Sequence, residues 1–169
     1  MKTAFIIGNG QSRQGFDLES LRGKGTTYGC NAVYRDFEPD YLVSLDRNIS
    51  QEIAENYDVE NLPAYSININ QKRYSEHFIL VPRNPVMNTG ATATHIARFD
   101  GHSKIYLLGF DIVGKKHQNI YEGTLHYRKN SDKENSRMEY LLDERQFCWT
   151  FHTFPNIEFR RVGGMAIRE

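Results

Sequence analysis

The run Ala4-Phe5-Ile6-Ile7 breaks off at Gly8-Asn9-Gly10-Gln11-Ser12. Continuous apolar residues describe a strand covered on both faces, and the glycines that follow describe a tight turn. Similar units recur along the chain. Thr26 to Cys30 leads to Asn31, Tyr41 to Leu45 leads to Asp46, and Ile105 to Leu108 leads to Gly109-Phe110-Asp111. Between them lie helical segments: Ser50 to Tyr57, and Thr89 to Phe99 with Ala93, Ile96 and Ala97 at helical spacing. Ser136 and Glu139 form a capping box that opens a third helix, running to about Phe151. Met138, Leu141, Leu142, Cys148 and Trp149 are expected on its core side. Ala64 to Ile69 alternates, with Tyr65, Ile67 and Ile69 on one face, and reads as a strand. Phe78 to Val81 and Ile157 to Arg161 read as two more, and 112–133 as a polar, loop-rich stretch. Strands alternating with helices predict one α/β domain over residues 1–169. The expected fold is Rossmann-like, a mostly parallel sheet with helices on both faces.

Composition narrows the partners. The chain has 169 residues, the size of one domain. It carries 21 Lys and Arg against 21 Asp and Glu, so bulk charge draws it neither to nucleic acid nor to an anionic membrane. No apolar run approaches the ~20 residues of a membrane span, and the first residues lack the long apolar stretch of a signal peptide. Cys30 and Cys148 fit neither a disulfide framework nor a zinc motif. A cytoplasmic, reduced protein is the expectation.

In a parallel α/β sheet, ligands bind beyond the carboxyl ends of the strands. That rule singles out Gly8 to Ser12, Asn31, Asp46 and Gly109 to Asp111, with Asn88-Thr89-Gly90 at a helix start on the same edge. Gly8 and Gly10 allow backbone amides to approach a phosphate, or they simply make a tight turn. The dinucleotide fingerprint fails twice, with Arg13 in place of its third glycine and Asn31 in place of its ribose-binding acid. Gly90 leaves a helix N-terminus open to an anion, or Asn88 or Thr89 is only an N-cap. Asp46 is a ligand of ribose or of Mg²⁺, or it caps the following helix. Asp111 either braces its loop or touches ligand. Of the six histidines, His95 is expected on a packed or surface helix position, and His102 and His117 in solvent.

Ile6-Ile7-Gly8-Asn9-Gly10-x-Ser12, Gly29-Cys30-Asn31-x-x-Tyr34, Asn88-Thr89-Gly90 and Ile105 to Asp111, in that order, resemble the bacterial sialyltransferases of glycosyltransferase family 42. They also resemble a relative described as 6-hydroxymethylpterin diphosphokinase-like. The likeness covers residues 3 to 46 and 86 to 142. It implies a nucleotide-activated sugar, plausibly CMP-linked, held by Asn9, Ser12, Asn31, Thr89 and Gly90, with no cofactor. It implies His126, in Leu125-His126-Tyr127-Arg128-Lys129-Asn130, as the general base. A histidine can take a proton at neutral pH. The chain departs from the family at Val113 and Asp46, where tyrosine and asparagine are usual, and Tyr121 is only a loose match for a second tyrosine. Only 14 residues separate Asp111 from His126, a short lid. Asp46 points to the alternative, Mg²⁺-dependent diphosphoryl transfer. The short lid points to a third, a nucleotide-binding module without catalysis.

Overall fold

The first apolar run forms β1 (Thr3–Ile7), with its side chains alternating between two cores. Ala4 and Ile6 pack with Ile96 and Ala97, whereas Phe5 and Ile7 pack with Leu18, Leu21, Val33 and Phe37. Burial on both faces is what a strand without polar alternation requires. The structure, a computed structural model, describes residues 1–57, 63–82, 87–111, 119–127 and 136–163.

Within these residues β1 joins β2 (Thr26–Cys30), β3 (Tyr41–Val43), β4 (Ala64–Ser66), β5 (Ile79–Leu80), β6 (Lys104–Leu108) and β7 (Glu158–Val162). They make a seven-stranded sheet in the order β5-β4-β3-β2-β1-β6-β7, with every pair parallel. The helices are α1 (Arg47–Asn56), α2 (Asn68–Arg73), α3 (Thr89–Phe99) and α4 (Ser136–Thr153). Short 3-10 turns occupy Gln11–Arg13, Leu18–Leu21 and Asn31–Arg35. α3 covers one face, where Ala93, Ile96 and Ala97 meet Tyr28, Ile105 and Leu107, and Phe147 of α4 joins them. α1 covers part of the other, setting Ile49 and Ile53 on Leu42 and Ala64. This is the expected single-domain Rossmann-like α/β fold, parallel and covered on both faces. The chain runs outward from β1 to β5 and returns to β6, so the strand order reverses between β1 and β6.

Several local expectations are corrected. The strand expected through Ile69 stops at Ser66, and α2 starts at Asn68 with Ile69 exposed. The cause is tertiary: the buried Asn70 amide lies 3.0 Å from Leu45 O, Ser50 Oγ and Ser66 Oγ, which fixes a helical turn there. α1 begins three residues earlier than expected, at Arg47. On α4, Phe147 and Thr150 are buried while Cys148 is exposed and Trp149 half-exposed, so the core stripe is rotated from the expected one. His102, expected in solvent, is 1% exposed and packs edge-on against Tyr28. The expectations for Val113, His117, and the side chains of Ser136, Met138, Glu139, Leu141 and Leu142 fall outside the described residues.

Candidate functional site

The loops after β1 and β6 are zipped together at the reversal point. Gly8 N donates to Leu108 O (2.8 Å), Gly10 N to Gly109 O (2.7 Å) and Ser12 N to Asp111 Oδ2 (2.9 Å). A Cβ on Gly8 would lie 2.6 Å from Gly109 O, and one on Gly10 would lie 2.6 Å from Gly109 O and from Asp111 Oδ2. These glycines therefore let two loops approach each other, where the sequence suggested room for a phosphate. Gly90 is packed as closely. A Cβ there would stand 2.2 Å from the Phe110 ring, so the space it leaves is already filled by protein. Asp111 braces the edge with both oxygens: Oδ1 lies 3.6 Å from Arg161 Nη2 while Oδ2 holds Ser12 N. Asn88 is the N-cap of α3, its Oδ1 accepting from Ala91 N at 2.8 Å.

The rest of the edge is polar and only partly satisfied. Asn31, directly after β2, has φ 53°, a left-handed conformation that asparagine adopts more readily than most residues. Its Oδ1 accepts from Thr89 Oγ1 (3.3 Å), and its side chain donates to Asp46. A chain of contacts thus joins the start of α3, the end of β2 and the start of α1. Asp46 stands at the N-cap position of α1 but makes no capping hydrogen bond. Its carboxyl pKa is raised because protein crowds one side of it, an effect the Asn31 bond only partly offsets. Asn9 Nδ2 donates to Tyr127 Oη at 3.0 Å. Asn9 Oδ1 and Ser12 Oγ are both buried and have no partner among the described residues. Orphaned buried polar atoms are costly and uncommon in native proteins.

Tyr127 is a residue the sequence reading missed. Its hydroxyl accepts from Asn9 and from the backbone N–H of Ala32, close to Asp46. Burial raises its pKa most, with Asp46 adding to the rise and Arg35 opposing it. Two arginines hold the segment 119–127 that carries it. Arg13, itself buried, donates from Nε to Gly8 O (2.7 Å) and from Nη2 to Tyr121 Oη (2.9 Å) and Asp36 Oδ2 (3.3 Å). Tyr121 Oη in turn donates to Asp36. Arg35 forks onto Glu52 (2.8 and 2.6 Å) and reaches Thr124 Oγ1 (2.9 Å) and Leu125 O (3.1 Å). Its guanidinium also lies over the rings of Tyr121 and Tyr127. The one available signal was Arg13, a bulky cation where a phosphate loop wants glycine.

His126 lies one residue before Tyr127 and faces α1. It has φ 66°, and its Nε2 lies 3.6 Å from Glu52 Oε2 on α1. Burial works against ionisation of Glu52, but hydrogen bonds from Arg35 and Tyr34 outweigh it, and the carboxyl is held below its usual range. Asp46 has no comparable company. Among the described residues no three His, Cys, Asp or Glu side chains gather in a way that could hold a metal ion. Mg²⁺ would find one carboxylate there, with the rest of its octahedral shell left to water or substrate phosphates. A cavity of about 410 Å³ opens beside Arg13, Phe16, Asp36 and Ile120, and none of the predicted site residues lines it.

No family model and no curated protein matches the chain. Solved structures of sialyltransferases do match it in fold. The chain is similar in fold to the monofunctional alpha-2,3-sialyltransferase Cst-I from Campylobacter jejuni, at 15% identity, with 99% of this chain and 78% of that one covered and a TM-score of 0.68. It is similar to the sialyltransferase CstII from Campylobacter jejuni in complex with a substrate analogue, CMP-3FNeuAc (14% identity, 96% and 82% covered, TM-score 0.58). It is also similar to CST-II in complex with a trisaccharide acceptor and CMP (15% identity, 96% and 81% covered, TM-score 0.58). At such identities the likeness is one of fold. Among the described residues no helix is long and apolar enough to cross a membrane.

Proposed function

We propose that the chain is a glycosyltransferase of the sialyltransferase kind, using a CMP-linked sugar. The nucleotide lies along the sheet edge at Asn9, Ser12, Asn31, Asp46 and Thr89. The observation that carries this reading is the pair of buried, unpartnered atoms Asn9 Oδ1 and Ser12 Oγ, on the edge where parallel α/β sheets bind ligands. The fold likeness to enzymes crystallised with CMP and a substrate analogue supports it. In the transfer, the acceptor hydroxyl attacks the sugar carbon, the bond to the nucleotide phosphate breaks, and a base takes the hydroxyl proton. His126 is the base in this reading. Glu52 faces its Nε2 and leaves Nδ1 for that proton.

A thermal-shift panel of nucleotides and nucleotide sugars tests the reading. Ligand at ~100 times its dissociation constant stabilises by ~2.7 kcal/mol. CMP and CMP-sugars are expected to stabilise the chain without Mg²⁺, and His126→Ala to abolish transfer while keeping that stabilisation. Full transfer by His126→Ala removes the base assignment, and no response to any nucleotide removes the proposal. The second reading, Mg²⁺-dependent diphosphoryl transfer, is favoured by the uncapped Asp46 carboxylate. It requires stabilisation by ATP or AMP that depends on Mg²⁺. Tight binding with no turnover of any donor would leave the catalytically silent module.

A further inference from the structure

Two side-chain acceptors stand unused at the ends of β1 and β3, the Asn9 amide oxygen and the Asp46 carboxylate. Asp46 is a carboxylate with one hydrogen bond from Asn31 and none spent on capping α1. Asn9 turns its amide nitrogen to Tyr127 and leaves Oδ1 buried and unpartnered. Tyr127 Oη stands between them, accepting from Asn9 and close enough to Asp46 to feel its charge. The free hydroxyl Ser12 Oγ lies on the far side of β1, where Ser12 is tied to Asp111 after β6.

An ionised carboxylate only accepts hydrogen bonds, as an amide oxygen does, and a phosphate offers neither of them a donor. A phosphate beside Asp46 would meet like charge. A ribose offers two neighbouring hydroxyl donors and no charge. We propose that Asp46 and Asn9 form the ribose subsite of the nucleotide, making Asp46 a specificity-determining residue for ribonucleotides, with the phosphate directed away from it toward the Ser12 side. This rests on the nucleotide reading above and adds the orientation of the bound molecule. Asp46 accepts from the ribose hydroxyls, Asn9 Oδ1 accepts from the same sugar, and Asn31 keeps the carboxylate turned to it.

The test is calorimetric titration of the full chain with CMP and 2′-deoxy-CMP, in EDTA and again in Mg²⁺. A hydrogen bond to a charged group is worth enough that losing the 2′-hydroxyl is expected to weaken binding by about tenfold or more. Asp46→Ala is expected to bring the two ligands to within about threefold of each other, and Asp46→Asn to retain part of the preference. The wild-type comparison does not depend on any variant folding. Equal affinity for CMP and 2′-deoxy-CMP in the wild type would overturn the ribose assignment while leaving nucleotide binding in place. So would a Mg²⁺ requirement that Asp46→Asn removes, since the carboxylate would then serve a cation. No binding of either ligand under either condition would overturn the nucleotide reading, and this inference with it.

Discussion

Gly90 owes its place to a ring. The Phe110 side chain occupies the volume a Cβ would need, so Gly90→Ala is expected to destabilise the chain by about 1–3 kcal/mol, the usual cost of overpacking, despite the better helix propensity of alanine. Urea denaturation measures it, and Phe110→Leu in the same background is expected to recover part of the loss. Much of the site was legible at this scale for the residues that end strands. Asn9, Asn31 and Asp46 follow directly from the sheet-edge rule, because an apolar run that stops at a polar residue marks its own edge. The close packing at Gly8, Gly10 and Gly90 was not legible, since spacing shows that a side chain is missing but not which atoms fill the gap. Tyr127 escaped because a tyrosine in a polar stretch carries no pattern, and only the return of the chain to Asn9 reveals it.

Segment 119–127 behaves as an element without being a helix or strand. It is fastened by Gly10 pairing with Asn119, by Ile120 N on Asn9 O, and by the Arg13 and Arg35 clusters. Glu52 is the hub of the second cluster, and its side chain is 8% exposed. Removing one partner of a buried ion pair leaves the other uncompensated, so Glu52→Gln is expected to cost about 3 kcal/mol or more. Hydrogen exchange should show faster exchange at Gly123 and Tyr127, whose amides are bonded within this segment. Unchanged exchange there would mean that Arg13 alone secures it. Helix α2 teaches the matching lesson about legibility. Alternation at Tyr65, Ile67 and Ile69 was real, but the pull of Asn70 into a buried hydrogen-bond network outweighed it, and such partners are far apart in sequence.

Across the whole molecule, the buried His102 ties stability to pH. Burial lowers its pKa, Lys2 lowers it further, and Asp100 partly opposes them. The unfolded chain therefore takes up a proton at about pH 6.5 while the folded chain resists it, so stability is expected to fall as pH drops below about 6.5. The His102→Leu variant should show a flatter profile through that window in denaturant midpoints. The strand order that puts β1 inside the sheet also sets a timetable. As the chain leaves the ribosome, β1 can find β2, and β3 to β5 can add in turn. Its other edge stays open until Leu108 arrives to meet Ile7. Pairings this distant in sequence are slow to close, and an open strand edge invites strangers. The half-made protein would thus spend its synthesis with its most apolar strand unguarded on one side, and a chaperone that shields such edges would matter most during that interval.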